Sequence, residues 1–315
     1  MTQGPGELEA RLRGILEERY HHRHPFNLRM HAGRLSREEI QTWVRNRYYY
    51  QTRIPIKDGL ILAKSRDPAF RREWVQRIHD HDGERPGEGG LALWLALAEA
   101  VGLERADVEG LRGVLPGVRA ACDAYVEFVS SHDLLESVAS SLTELFAGEL
   151  MGRRIAAFEE HYRWVGPAGL DYFRSRTRIA PSDAEKGLAF VREHARTQED
   201  QERCAAALAR KCEILWQLLD AIEAAHARPA LVAHAELRRD PAGDATLAVL
   251  PERAVSLNPT GREVLALCDG ERTAAEVAAE LARRHAGAPE IASDVHRFLG
   301  EMERLGVLRL ERRPA

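Results

Sequence analysis

The sequence has few cysteines, no long apolar run and little excess charge. Its 315 residues include Cys122, Cys204, Cys212 and Cys268, none in a C-x-x-C pair. This pattern argues against a disulfide framework and a thiolate zinc site. The apolar runs are far shorter than a membrane span, and Met1 is followed by polar residues instead of an apolar signal segment. A net charge of −4 gives no general attraction to nucleic acid or anionic membranes. We therefore expect a cytoplasmic protein with no membrane or nucleic-acid partner.

Helical periodicity dominates the chain up to about residue 230, and strand-like alternation is almost absent there. Ser36 with Glu39 predicts the start of a helix that reaches about Lys64 and bends near Pro55. Asp67 followed by proline predicts the next start. Further helices are predicted at 7–22, 68–81, 91–101, 116–130, 134–164, 167–178, from Ser182, and at about 198–226 from Thr197.

The composition changes after Ala227. Residues 228–233 predict a linker, and alternating stretches at 234–240, 245–250 and 252–257, with a DPAGD turn after the first, predict strands. Helices are predicted at 259–268, 274–285 and 289–304, the second opened by a capping box of Thr273 and Glu276. We therefore divide the chain into a helical bundle at 1–227 and a small α+β domain at 228–315.

Several cations fall within helices that are otherwise apolar in pattern. They are Arg47, Lys57, Arg154, Arg176 and Lys211. Buried cations are rare unless they are paired, and the nearby acids Asp58 and Glu144 are too few for all of them. Glu144, Met151 and Arg154 share one helical face with Ala147 and Phe158. This pattern favours a pocket for an anionic ligand, and the alternative is a partly buried salt-bridge face.

Two Glu-x-x-His pairs, Glu18 with His21 and Glu223 with His226, have the spacing by which helical bundles hold two metal ions. The composition, with thirteen histidines and 49 acidic residues, makes about two such pairs expected by chance. We therefore predict no functional metal and keep a di-iron site as an alternative.

Long strings across residues 19–226 resemble the pyrroloquinoline quinone biosynthesis protein C family. They include REEIQTWVRNRYYYQTRIPIKD (37–58), WVQRIHDHDG (74–83), LPGVRAACDAYVEF (115–128), SSLTELF (140–146) and KCEILWQLLDA (211–221). The resemblance implies a haem-oxygenase-like, thiaminase-like helical bundle without haem. It also implies a cofactorless oxidase and a homodimer. Such an enzyme closes the second nitrogen ring of the tricyclic quinone precursor and oxidises it with molecular oxygen, releasing hydrogen peroxide and the quinone product.

The same resemblance assigns the site. His81 is implied as the main general base with a near-neutral pKa, with His21, Tyr172 and Arg176 as further catalytic residues. The implied substrate-binding residues are Arg47, Gln51, Lys57, Arg77, Tyr125, Glu144, Met151, Arg154 and Lys211. At Met151 the sequence departs from the family pattern, which has a histidine three residues before the arginine. A thioether cannot shuttle a proton, so the departure questions how oxygen is activated.

Residues 228–310 resemble the companion protein D of the same pathway. The matching strings are RPAL (228–231), LNPTGREVLALCDGERT (257–273) and RLGVL (304–308). The resemblance implies a winged-helix-like peptide chaperone, a recognition element that binds the precursor peptide at a sheet edge. The implied partners are this peptide and the radical enzyme of the pathway. A catalytically idle protein that holds and delivers the quinone remains the alternative function.

Overall fold

The computed structural model describes residues 4–239, 246–286 and 291–311. The chain divides into two compact units, one up to Leu219 and one from Asp220 onward. The boundary predicted after residue 227 stays a prediction. Within the described residues, no helix has the length and apolar character needed to cross a membrane.

The first unit is helical. Its helices are α1 (Pro5–Arg19), α2 (Pro25–His31), α3 (Arg37–Lys64), α4 (Pro68–Trp74), α5 (Gln76–Asp82), α6 (Gly89–Ala100), α7 (Arg105–Glu109), α8 (Pro116–Ser131), α9 (Leu134–Ser140), α10 (Ala147–His161), α11 (Asp171–His194) and most of α12 (Gln198–Ala225), which ends six residues after the boundary. Short 3-10 helices cover His21–Arg23, Ser141–Phe146 and Pro167–Leu170. The mainly helical prediction for this part of the chain is confirmed.

Helix α3 runs through the centre of this unit and packs against α5, α6 and α8. It begins at the predicted capping box, where the Ser36 side chain accepts from the Glu39 amide and the Glu39 side chain accepts from the Ser36 amide. Trp43 is fully buried, and its ring centroid lies 5.5 Å from that of Trp94. The Trp94 indole donates to the backbone oxygen of Val44 at 2.9 Å, which joins α6 to α3.

The structure corrects three predicted helices in this unit. The helix predicted at 134–164 is interrupted by the 3-10 helix Ser141–Phe146, because the hydroxyls of Ser140 and Ser141 turn back to the Ser137 carbonyl at 2.7 and 3.5 Å. The helix predicted at 68–81 is divided between α4 and α5 at Val75. The start predicted at Ser182 is wrong because α11 continues through Pro181, and its buried face extends the same periodicity.

The second unit combines strands and helices. Its strands are β1 (Arg228–Leu231), β2 (Glu236–Arg239), β3 (Thr246–Leu250), β4 (Arg253–Leu257) and β5 (Leu308–Glu311), and its helices are α13 (Pro259–Ala266), α14 (Ala274–Arg284) and α15 (Ile291–Arg304). Strands β2, β3 and β4 form an antiparallel sheet in that order. The predicted DPAGD turn lies outside the described residues.

The linker predicted at 228–233 is wrong. Residues 228–231 are strand β1, which pairs antiparallel with β5 so that Arg228 faces Glu311 and Leu231 faces Leu308. The pairing joins stretches almost eighty positions apart, which a local pattern cannot reveal. The core of this unit is apolar, with Val277, Leu281 and Val307 fully buried.

Candidate active site

A small cavity lies inside the first unit, with a volume of about 70 Å³. Most of the side chains predicted from the sequence line it: His21, Arg47, Gln51, Lys57, His81, Tyr125, Glu144, Met151, Tyr172, Arg176 and Lys211. The two other predicted residues lie behind the wall. Arg77 contacts Glu144 at 2.6 Å, and a guanidinium nitrogen of Arg154 lies 3.8 Å from the sulfur of Met151. The fold thus gathers the predicted set in one place, although their roles stay predictions.

Helical spacing explains how distant segments supply this wall. Arg47, Gln51 and Ile54 recur on one face of α3, with Lys57 on the next turn. On α11, Tyr172 and Arg176 lie four positions apart on the buried face.

His81 reaches the wall because α5 ends immediately after it. Gly83 follows with a φ of +80°, where a side chain would be strained, and an added Cβ would approach the Glu88 backbone to 2.6 Å. His81 is buried while His79, two positions earlier, is exposed.

One side of the site is a network of ion pairs. The buried carboxylate of Asp58 lies 2.7 Å from Lys57 and 3.4 Å from Arg77. Glu144 lies between Arg77, at 2.6 Å, and Arg176, at 3.5 Å. Burial alone would raise the pKa of Glu144, but Arg77 and Arg176 hold it below its usual value. These carboxylates are therefore ionised and already neutralise the cations beside them.

Asp183 completes this network and was missed from the sequence. Its carboxylate lies 3.8 Å from both Arg77 and Arg176. Burial and the nearby Glu144 raise its pKa to about 6. The signal was available, because Asp183 falls seven positions after Arg176 on the buried face of α11.

Three buried cations at the site have no carboxylate partner among the described residues. Among the described residues, no carboxylate comes within 4.0 Å of Arg47, Arg154 or Lys211, although all three are buried. Burial, with the nearby Arg47, lowers the pKa of Arg154 to about 9. Burial, with Lys57 and Arg47, also lowers the pKa of Lys211 well below its usual value. The site therefore carries uncompensated positive charge, which an anionic ligand would relieve.

Aromatic rings hold these unpaired cations in place. The guanidinium carbon of Arg47 lies 4.1 Å from the ring centroid of Tyr50, and the amino group of Lys211 lies 3.2 Å from that of Tyr125. Lys211 also donates to the Tyr50 hydroxyl at 2.9 Å. The three consecutive tyrosines at 48–50 gave no sequence signal for a site, yet Tyr50 lines the cavity.

The hydrogen bond made by His81 determines which of its ring nitrogens carries the proton. Its Nδ1 lies 3.0 Å from the backbone oxygen of Arg77. A carbonyl only accepts, so Nδ1 carries the proton and Nε2 is left with a free electron pair. The near-neutral pKa expected from the sequence is wrong, because burial and the charge of Arg176 lower the pKa of His81 to about 4. Burial, with Arg47 and Arg154, likewise lowers the pKa of His21.

Tyr172 closes the wall beside Arg176. Its hydroxyl donates to the side-chain oxygen of Gln51 at 2.9 Å, and Trp94 packs edge-on against its ring at 4.7 Å. Tyr172 is therefore fixed from two sides.

Two other reactive groups considered from the sequence, Cys122 and Glu18, do not line the cavity. Cys122 is fully buried, and burial raises the pKa of its thiol to about 12, as expected of a core cysteine. Glu18 is exposed while His21 is buried, so this Glu-x-x-His pair faces two environments. Within the described ranges, no three His, Cys, Asp or Glu side chains converge as metal ligands would.

A larger groove of about 570 Å³ lies between α4 and α11. It is lined by Phe70, Trp74 and Phe190 and shares Arg77 and Asp183 with the ion-pair network. Its charged residues include both signs, and they are largely exposed at its rim. The smaller cavity is the better candidate site because buried cations converge only there among the described residues.

Comparison with known proteins defines the class to which this architecture and site belong. Residues 9–221 match the TENA/THI-4/PQQC family, and residues 246–308 match the family of Coenzyme PQQ synthesis protein D (PqqD). The chain belongs to the TENA/THI-4/PQQC family and carries a PqqD domain after the helical part.

Relatives within that family carry a specific name. The chain is 48% identical over 222 residues to the pyrroloquinoline-quinone synthase of Gluconobacter oxydans (strain 621H), an alignment covering 70% of this chain and 93% of the relative. It is 49% identical over 228 residues to the enzyme of that name from Xanthomonas campestris pv. campestris (strain 8004), covering 72% and 91%. These relatives confirm the resemblance found in the sequence and the prediction of an enzyme. Together with the PqqD match, they support a role in pyrroloquinoline quinone biosynthesis.

Solved structures confirm the fold. A protein from Shewanella denitrificans OS217, described as a domain of unknown function with a heme oxygenase-like fold, aligns with a TM-score of 0.54 at 15% identity, covering 69% of this chain and 89% of its own. A TenA homolog from Pseudomonas syringae pv. tomato DC3000 aligns with the same score and identity, covering 69% and 91%. The predicted haem-oxygenase-like bundle is thus confirmed as a fold.

Proposed function

We propose that this chain is a pyrroloquinoline-quinone synthase: an oxidase with no metal or organic cofactor. In this proposal it closes the second nitrogen ring of the tricyclic precursor and oxidises the product with molecular oxygen. The observation that carries the proposal is the group of buried cations that have no acidic partner among the described residues, Arg47, Arg154 and Lys211. A planar ligand rich in carboxylates supplies the charge that these cations lack.

Ligand binding also explains how His81 becomes a useful base. The pKa of His81 is about 4, chiefly through burial and then through repulsion from Arg176. A bound carboxylate beside Arg176 offsets that repulsion and raises the pKa of His81 toward neutrality. Nε2 then accepts a proton from the precursor, and Nδ1 stays bonded to the Arg77 carbonyl.

In this proposal the protein assists the oxidation by stabilising the negative charge that develops on oxygen, and no metal takes part. The reduced precursor gives two electrons to oxygen, and two protons complete one molecule of hydrogen peroxide. Tyr172 and Arg176 border the place where this charge develops on oxygen. A fixed guanidinium and a hydroxyl donor stabilise such charge inside a buried cavity.

The cavity, at about 70 Å³, is smaller than pockets that hold drug-sized ligands, which are about 300–1,000 Å³. We therefore expect the long side chains that fill the site to move outward when the precursor binds. Arg47 and Lys211 contact tyrosine rings and one hydroxyl and form no ion pair among the described residues, so both can turn toward a ligand carboxylate while Tyr50 still positions them.

The second unit is proposed to bind the precursor peptide. In the sheet, β2 and β4 each pair only with β3 among the described residues, so each offers an outer edge. An extended peptide adds to such an edge as a further strand. The proposal includes the radical enzyme of the pathway as a further partner, and a homodimer in the cytoplasm.

The test is to mix the protein with the precursor without oxygen, add oxygen, and follow oxygen uptake and quinone absorbance. Product at a rate well above the uncatalysed reaction, unchanged by a chelator, supports the proposal. Arg47→Gln should weaken product binding, and Arg45→Gln, two residues away on α3, serves as the matched control. Loss of activity on chelation, restored by iron, would favour the di-iron alternative.

Met151 favours a second candidate, a protein that holds the quinone for delivery, because a thioether cannot relay protons. In that case the product binds tightly while the precursor consumes no oxygen. The same oxygen-uptake experiment separates the two functions.

A further inference from the structure

Met151 differs from the other described methionines in its surroundings. It lines the candidate cavity, with 6% of its surface exposed. Met30 is fully buried in the first unit, and Met302 belongs to the core of the second. Neither of these lines the cavity. A small molecule formed in the cavity therefore meets the sulfur of Met151 and neither of the other two.

The sulfur of Met151 also lies beside a strong donor. A terminal guanidinium nitrogen of Arg154 lies 3.8 Å from it, and the other terminal nitrogen lies 3.3 Å from the side-chain oxygen of Asn27. The third nitrogen, Nε, is buried and has no hydrogen-bond partner among the described residues. Among the same described residues, no carboxylate lies within 4.0 Å of Arg154. It therefore has donors to spare for an oxygen atom placed on this sulfur.

We infer that Met151 is an oxidation site, at which hydrogen peroxide formed in the cavity converts the thioether to a sulfoxide. The inference rests on the proposed function, which supplies the peroxide. In the step, the sulfur attacks one peroxide oxygen, an S–O bond forms, and the O–O bond breaks. The second oxygen leaves as hydroxide and takes up the proton that the transferred oxygen loses, so thioether and peroxide become sulfoxide and water.

Met151 is selected for oxidation by its position on the wall of the cavity in which the peroxide forms. Thioethers react slowly with dilute peroxide, but a molecule formed in the cavity starts beside Met151, which lines it, and proximity raises the effective concentration. Arg154 can stabilise the hydroxide as it leaves and then donate to the sulfoxide oxygen, which accepts more strongly than a thioether. Met30 and Met302 are also buried, and neither lines the cavity in which the peroxide would form.

Sulfoxide formation changes the site itself. The added oxygen takes room in a cavity of only about 70 Å³ and converts a flexible apolar side chain into a polar one. It also engages Arg154, one of the cations without an acidic partner. We expect ligand affinity to fall as turnovers accumulate, so that the enzyme limits its own working life until a reductase restores the methionine.

The experiment follows Met151 by mass spectrometry in the full chain. The protein turns over precursor and oxygen in the presence of catalase, which removes peroxide from the bulk solution, and turnovers are counted by quinone absorbance. Trypsin then releases a fragment ending at Arg153 that contains Met151 as its one methionine. Met30 and Met302 lie in separate fragments and serve as internal controls. We expect the sulfoxide fraction of Met151 to rise with turnover number and to exceed that of the controls on the order of tenfold.

A Met151 that stays unmodified after many turnovers overturns the inference, as does oxidation equal to that of Met30 and Met302. If no quinone forms, the proposed function fails, and a second arm still decides the oxidation site. In that arm, peroxide is added without precursor. Preferential oxidation of Met151 then supports a peroxide-accessible sulfur, and equal oxidation of all three refutes it. Met151→Leu provides the activity control, because its rate should decline less from its own starting value.

Discussion

The amino group of Lys211 donates to the hydroxyl oxygen of Tyr50 at 2.9 Å. The ring of the same tyrosine faces the guanidinium of Arg47 at 4.1 Å. One side chain thus contacts two of the buried cations that have no acidic partner in the described part of the chain. Tyr50 therefore sets the spacing of two charges that we propose to bind ligand carboxylates.

Replacing Tyr50 by phenylalanine separates its two contacts. The variant keeps the ring beside Arg47 and removes the acceptor of Lys211. A net hydrogen bond contributes about 1 kcal/mol, so product affinity should fall about fivefold, measured by isothermal titration. Tyr50→Leu also removes the ring and should lower affinity further. Equal affinities in the wild type and both variants would show that Tyr50 only fills space.

His81→Gln should reduce turnover far more than product binding. A general base contributes about 10²–10⁴-fold to rate, whereas glutamine keeps a polar side chain of similar reach. Turnover is measured by quinone formation and binding by titration with the product. His79→Gln is the matched control, because His79 lies on the same helix and is exposed. Parallel losses of rate and affinity would make His81 a binding residue only.

The same histidine predicts a pH dependence of stability. The pKa of His81 is about 4 in the folded chain, lowered mainly by burial, against an ordinary value of 6.5. Between these values the unfolded state binds more protons, so stability falls as the pH drops from 6.5 and the loss is complete below about 4. It amounts to on the order of 3 kcal/mol. Urea unfolding of wild type and His81→Gln across this range should show a flatter profile for the variant.

The pH profile of the wild type must be compared with that of His81→Gln because the protonation of Asp183 changes the stability in the opposite direction to that of His81. Its folded pKa of about 6 lies above the ordinary 3.8, so protonation of Asp183 favours the folded state as the pH falls through 6. The difference between the two profiles removes this contribution. A variant profile as steep as that of the wild type would contradict a buried neutral His81.

A chain that ends at Ala227 should still oxidise the free precursor and should lose affinity for the precursor peptide. The helix α12 ends at Ala225, and the strands begin at Arg228, so the cut leaves the residues of the candidate cavity intact. Circular dichroism first establishes that the shortened chain is folded. If it is folded and inactive, or if it binds the peptide as well as the full chain does, the modular proposal is wrong.

Helical spacing and short capping motifs were enough to predict most of the first unit. Ser36 with Glu39 fixed the start of α3, and spacing four apart placed Tyr172 and Arg176 together. The wrong helix boundaries arise where side-chain hydrogen bonds or core packing override the helical periodicity of the sequence. The serine hydroxyls before Glu144 interrupt a helix that periodicity alone would continue, and core packing carries α11 past Pro181.

Long-range geometry explains what sequence patterns could not give for the site. Tyr50 belongs to a run of three tyrosines that points in several directions, and only the position of Lys211 on α12 shows which ring lines the cavity. The pKa of His81 depends on burial and on Arg176, about ninety-five positions further along the chain. The spacing of neighbouring residues therefore cannot predict the orientation of Tyr50 or the pKa of His81.

Met151→His should be tolerated and should speed the oxygen-dependent steps. The two side chains have comparable bulk, and the position lies on the cavity wall, so the steric cost is small. An imidazole is costly only where it finds no polar partner, and here the nearby Arg154 and the lining Tyr172 and Arg176 supply polar groups. Unlike the thioether, the imidazole can pass a proton to reduced oxygen, so the rate of quinone formation after oxygen is added should rise while product affinity changes little.

Stopped-flow absorbance measures the rate of quinone formation in Met151→His, and urea unfolding measures its stability. A loss of several kcal/mol, on the order of burying an unpaired polar group, would show that Met151 is core packing and that this face does not serve the site.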